Sequence, residues 1–299
     1  MIGNFEVESN QTITTENVET GRESFIHGLW VNRKARYGII VFVIFIGIGV
    51  IGHFYTPYNP HFDLFKSYLP PSYSHLLGTD YDGHDVFSQF LYGTGVSLYV
   101  GAAVALIAVF IGTLVGLISG YYGGVVDNAL MRFVDILLIL PTFPLLVILS
   151  TYLKPTITST ILILGILSWP FMSRVIRSQT LTIRERPFIK AAILSGMTGY
   201  RIVFREVFKF VLPLIIINTI YIFVGAIVAQ AGLAFFGLGD LSSINWGTML
   251  FYAENQDAVL YAAWWWILPP GIAIAVLGIA ANILGTGITE VYGGRAGSS

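Results

Sequence analysis

The chain has 299 residues, 55% of them hydrophobic and only 11% charged, with a formal net charge of −1. So little charge cannot clothe a water-soluble globule of this length, and a soluble fold is excluded for the chain as a whole. Cysteine is absent, which excludes disulfides, thiolate zinc sites and cysteine nucleophiles.

A hydrocarbon core about 30 Å thick takes roughly 20 helical residues at about 1.5 Å rise each. Six apolar runs of that order occur, at 38–55, 96–120, 129–150, 157–176, 211–235 and 265–287. They are continuously apolar, whereas a barrel strand alternates over about ten residues. The fold class expected is an all-α integral membrane protein with six transmembrane helices.

In chain order, residues 1–36 read as a polar tail, rich in glutamate up to Glu23, and 37–56 as the first transmembrane helix. The segment 57–95 reads as extracytoplasmic, punctuated by Pro57, Pro60, Pro70 and Pro71. Asp85 is placed to cap a short helix that feeds the second span, where Gly101, Gly112 and Gly116 let a neighbouring backbone approach. Five helices follow over 96–289, then a second tail at 290–299. Pro141 and Pro144 in the third span and Pro170 in the fourth each remove a backbone hydrogen bond and predict kinks. Asp135, one helical turn after Arg132, is expected to pair with it.

Basic residues set the orientation. Arg33, Lys34 and Arg36 precede the first span, and Arg174, Arg177, Arg184, Arg186, Lys190, Arg201, Arg205 and Lys209 lie between the fourth and fifth. Cytoplasmic loops carry such an excess, so both termini are expected inside.

The cytoplasmic loop at 177–210 has its own pattern. Pro187 suits a first helical turn, Phe188, Ala191, Ala192 and Ser195 recur at three- and four-residue spacing, and Gly196 and Gly199 offer stop signals. A helix-turn-helix is expected, its second helix running from Tyr200 to about Val211 and on into the fifth span. A small Ala191-Ala192 face outside the bilayer fits a docking partner. The same basic stretch also fits an amphipathic connector lying on anionic headgroups.

Over about 75–290 the chain resembles the inner permease subunits of ABC importers, in the branch serving oligopeptides, dipeptides and nickel. Gly78-Thr79-Asp80 with Gly83, Asp85-Val86 and Ser88 resembles the signature before the second span of that branch's C-type subunit. Tyr121-Tyr122-Gly123-Gly124, Asp127, Ser168-Trp169-Pro170, Phe235-Phe236-Gly237-Leu238-Gly239 and Trp246-Gly247 are similar to later family segments. Pro187 to Gly196 is similar to the family's cytoplasmic coupling loop. The sequence departs from the usual pattern at His84, Lys190, Lys209 and Gln230, where the family commonly has Arg, Glu, Pro and Glu.

The resemblance implies the type I importer permease fold, with both termini inside, and a permease subunit that moves peptides. It implies a homologous permease partner, two ABC ATPase subunits and an extracytoplasmic peptide-binding protein, beside the lipid bilayer and without nucleic acid. Every lysine follows a residue other than glycine, so no Gly-Lys phosphate loop exists here. No cofactor is expected on this chain, ATP and Mg being held by the ATPase subunits. ATPase coupling falls to Arg184, Arg186, Pro187, Lys190, Ala191, Ala192, Ser195 and Gly196, and bulky residues at Ala192 or Gly196 are expected to leave insertion intact but uncouple ATP hydrolysis from uptake. Asn218, Gln230 and Asn282 are candidates for the translocation pathway, although each also suits a bridge between helices. His84, Asp240, Trp246 and Glu254 are candidates to face the binding protein. A nickel-chelate permease is the alternative. An ion-coupled secondary transporter fits less well, because all five histidines precede the second span and the central apolar stretches hold no carboxylate.

Overall fold

The structure, a computed structural model, describes residues 27–296. The remainder of the expected tails, 1–26 and 297–299, lies outside the described residues. Among the described residues there is no strand, only an isolated bridge between Thr79 and Asp85. Five helices are long and apolar enough to cross a membrane, and a sixth crossing exists if one bent pair counts as a span.

Helix α1, Arg33–Phe54, begins earlier than its apolar run because Asn32 caps it, its side-chain oxygen accepting from the Ala35 N–H at 3.0 Å. Helix α2, Val86–Tyr122, is capped by Asp85 as expected. Capping helix and span are one continuous element, since nothing between Phe90 and Val96 breaks it. Gly123 and Gly124, both at positive φ, turn the chain into α3, Gly124–Ile139.

Here the structure departs from a kinked third span. Helix α3 stops at Ile139, and α4, Thr142–Tyr152, leaves at 85° to it. Pro141 supplies no N–H to continue the ladder and biases Leu140 to extended backbone (ψ 130°), so the helix ends there; Pro144 sits harmlessly in the first turn of α4. Pro170, by contrast, lies inside α5, Ile157–Arg184, without ending it.

Helix α6 spans Pro187–Leu194. Helix α7 runs over Gly199–Phe235, as expected from the second half of the loop, but its stretch Ile202–Val207 is wound as π-helix. Helix α8 is Trp246–Asn255 and α9 is Trp264–Ala296. Helix α2 is the hub, packing on α1, α5 and α7, while α9 closes the bundle against α1 and α7. Lys34 and Asn32 at the start of α1 both bond Glu290 near the end of α9. Both chain ends of the bundle therefore lie together, at the end that also carries the basic loop.

The tightest seam is between α2 and α5. Gly112, Gly116 and Gly120 stand one turn apart on α2, and a β-carbon at each would lie within 2.6–2.7 Å of a side-chain atom of Met172, Ile176 or Thr180. Beside this seam Arg177 of α5 grips Asp127 of α3 in a two-pronged bond, Nε and Nη2 to the two carboxylate oxygens at 2.5 and 2.6 Å. Asp135 pairs with Arg174 across the helices, not with Arg132. A guanidinium on a neighbouring helix outcompetes the local partner because α3 and α5 lie side by side.

Candidate functional site

At the basic end, Ile183, Ile189, Ile202, Val203 and Val207 form one buried cluster with Leu117, Met172 and Ile176. Ile189 is fully buried and fixes α6 onto the ends of α5 and α7. Pro187 occupies the first turn of α6, where its missing N–H costs nothing, and Arg186 precedes it as the capping residue, exposed to solvent. The helix is closed by a Schellman turn: the Gly196 N–H donates to Ile193 O at 3.0 Å and the Met197 N–H to Ala192 O at 3.1 Å. Gly196 adopts φ +77°, a conformation that L side chains resist.

Because α6 is pinned on one side, its faces separate. Ile189 and Ala192 point into the cluster, while Phe188, Ala191 and Leu194 are exposed, Leu194 at 88%. Ala192 is thus half-buried against its own chain, which corrects its assignment to the docking face. A bulky residue there would collide with the cluster, and one at Gly196 would strain the turn although a β-carbon finds open space. Neither substitution isolates docking. Leu194 is the residue that sequence reasoning missed; its signal was the three-residue spacing Phe188, Ala191, Leu194.

The polar members frame this face. Lys190 lies 3.3 Å from Glu185, both well exposed, an arrangement worth about 0–1 kcal/mol. Ser195 donates its hydroxyl to Ala191 O at 2.9 Å, and Arg184 folds back over Gly123, its Nη1 2.8 Å from where a β-carbon would stand. What the assembly offers chemically is a rigid, exposed apolar ridge with cations around it, which suits binding to another protein.

The pathway candidates do not gather at one place. Asn218 is buried and spends its amide on Leu214 O at 2.8 Å in its own helix, Gln230 is buried on α7, and Asn282 is exposed on α9.

At the opposite end, Trp246 is fully buried, its indole N–H donating to Thr94 Oγ1 at 3.2 Å between Phe45 and Phe90. It is therefore a core residue of the α1–α2–α8 junction and is withdrawn from the receptor face. Glu254 is exposed, and Asp240 accepts from Ser242 within its own loop and from the Ile157 N–H at the start of α5 at 3.3 Å. His84 is half-buried. Asp80, itself buried, accepts from the His84 N–H at 2.8 Å, from His84 Nδ1 at 3.3 Å and from the Gln89 amide at 2.9 Å. A second carboxylate, Asp85, holds His75 Nδ1 at 2.9 Å.

The hydrogen bond and charge of Asp80 raise the His84 pKa above 6.5, against the opposing pull of burial. A raised pKa favours the imidazolium, so its contribution to the 80–85 turn is fully present below pH 6.5 and is lost as pH rises through the folded value. We expect hydrogen-exchange protection of the His84 amide, corrected for intrinsic rate, to fall over that window and to lose its pH dependence in Asp80→Asn. A flat profile in the unsubstituted protein would contradict the pairing.

A model of the family described as binding-protein-dependent transport system inner membrane component matches residues 112–296. A Brucella abortus biovar 1 chain, provisionally named a peptide transport system permease protein, is 32% identical over 266 residues, covering 88% of each chain. The dipeptide transport system permease protein DppC of Bacillus subtilis is 31% identical over 261 residues, covering 87% of this chain and 81% of that one. The matched residues contain α6, the α2–α5 seam from Gly112 onward and the Asp127–Arg177 pair, and on that footing the chain belongs to the inner membrane components of binding-protein-dependent transport systems.

Proposed function

We propose that this chain is the C-type member of a pair of homologous permease subunits in an ATP-driven importer that carries peptides across the plasma membrane. The carrying observation is the exposed Phe188–Ala191–Leu194 ridge on a helix that Ile189 anchors to the ends of α5 and α7. A force applied to such a ridge is passed to α5 and α7 and, through the seam they share with it, to α2. Docking of two ATPase subunits, one on this ridge and one on its counterpart, couples hydrolysis to movement provided the contact differs between open and closed states. ATP and Mg are held on those subunits, and this chain binds no cofactor. Peptide as cargo is favoured by the names that the relatives carry, with an extracytoplasmic binding protein making the selection.

The test is to purify the tagged chain from its native membrane in mild detergent and identify what accompanies it. Two ATPase subunits, a second permease and turnover stimulated by peptide with the binding protein are expected. Purification alone, or uptake driven by a proton gradient, would overturn the reading.

A further inference from the structure

Helix α7 enters the bundle through a turn that docking alone does not require. At its start the spacing is that of an α-helix, the Ile202 N–H donating to Thr198 O, four residues back, at 3.0 Å. Six residues on, the Phe208 N–H reaches back five, to Val203 O, and α winding resumes beyond it. One residue more than an α-helix would use is therefore held within Ile202–Val207. Such turns are rare, and inside α-helices they are found frequently at functional sites. This one packs on α6, α2 and α5.

Packing holds the extra residue in. Ile202, Val203 and Val207 are each no more than 1% exposed and belong to the same cluster as Ile189 of α6. In a regular α-helix Ile202 and Val207 would stand about 140° apart around the axis, and one of them would leave that cluster. Across the wider turn Ile202 lies one turn before Val207. In α winding the residue one turn before Val207 is Val203, so the two windings bring one or other of two adjacent β-branched side chains to the same place. A one-residue slip between them exchanges Ile for Val and leaves the rest of the cluster as it is.

We propose that Ile202–Val207 is a one-residue register switch, which resolves to α-helix when the ATPase subunits close on α6 and so moves α6 against the body of α7. The shift expected is the rise of one residue, about 1.5 Å, with a turn of about 100° ahead of the joint, the scale of helix movements that carry other two-state transitions. The ridge supplies the trigger. Phe188 on α6 lies against Phe210, which stands beyond the turn on α7, their ring centroids 5.1 Å apart. This ring pair bridges the joint and favours the present winding. An ATPase that takes hold of Phe188 removes the contact and thereby distinguishes the two windings, as any ligand that shifts an equilibrium must. The switch rests on the docking role of α6 and gives it a moving part.

The experiment uses the intact membrane complex purified through this chain and reconstituted with its binding protein in vesicles, with tri-alanine as the peptide taken up. Arg205 is exposed within the turn, and deleting it removes the extra residue while Ile202 and Val207 come to α spacing. The deletion is expected to melt like the unaltered chain and to keep its ATPase subunits, with uptake at least about tenfold lower because the turn has nothing left to release. Two controls accompany it. Deletion of Val228, exposed in the regular winding of the same helix, turns everything on one side of it by about 100° and should melt lower. Arg205→Ala keeps the extra residue and should transport like the unaltered chain. Melting of the Arg205 deletion as low as that of Val228 would mean that the turn holds no spare residue, and unchanged uptake would mean that no movement passes through it; each overturns the proposal. So does an equal loss in Arg205→Ala, which assigns the effect to the charge, or release of the ATPase subunits by the deletion, which assigns it to docking. In all of these outcomes uptake by the unaltered complex leaves the importer reading standing; absence of ATPase subunits from that complex removes that reading first.

Discussion

Leu194→Glu is expected to abolish ATPase-coupled uptake while the chain still folds and inserts. Leu194 is 88% exposed and makes no contribution to the cluster that holds α6, so within the chain the change should fall inside about ±0.5 kcal/mol. Docked against an ATPase groove, the same carboxylate would be desolvated without a partner, and interface anchors of this kind cost about 2 kcal/mol or more, some thirtyfold in affinity. Thermal unfolding and co-purification of the ATPase subunits, measured on the same preparation, separate the two effects. Unchanged uptake in Leu194→Glu would remove α6 as the docking element. Ile189→Ala is the complementary change: it opens a cavity at a fully buried position, costs about 2–5 kcal/mol and loosens the ridge without touching its surface.

Gly116→Leu should destabilise the bundle by about 3 kcal/mol, the upper part of the usual overpacking range. A β-carbon there meets Ile176 Cβ and Ser173 O, each at 2.7 Å, and the second of these is backbone that cannot rotate aside. The seam has to part over its whole length, because Gly112 and Gly120 one turn away are packed equally closely. Gly278→Leu on α9 is the control, since a β-carbon there finds nothing within 4 Å. Thermal unfolding in detergent reads both. Equal melting of the two variants would mean that α2 and α5 are not in this register.

The number and place of the hydrophobic runs were legible because hydrocarbon demands them, and the starts of α2 at the Asp85 cap and of α7 near Tyr200 were legible from their own signals. The far end of α5 was not: it continues to Arg184, past its apolar run, because a helix entering water changes its composition without changing its backbone. Pro141 announced a disturbance, yet the sequence could not distinguish a bend within a helix from an 85° break, which depends on what packs against the joint. Asp135 found Arg174 for the same reason: the partner comes from another helix. Trp246 sits in a stretch polar enough to read as a surface loop, and only the packing of Phe45 and Phe90 around it reveals a core position. The α6 helix was visible from Pro187 and Gly196, whereas the inward turn of Ala192 required knowing where Ile189 is anchored.

The right-angle joint between α3 and α4 sets a solvation problem that one chain leaves open. Sixteen and eleven residues give arms of about 24 and 16 Å, neither long enough for a bilayer about 30 Å deep. Around Leu140 and Pro141, both exposed, the carbonyls that end one arm and the amides that begin the other have no place in hydrocarbon. Lipid tails cannot wet that corner, so water or the flank of another polypeptide has to.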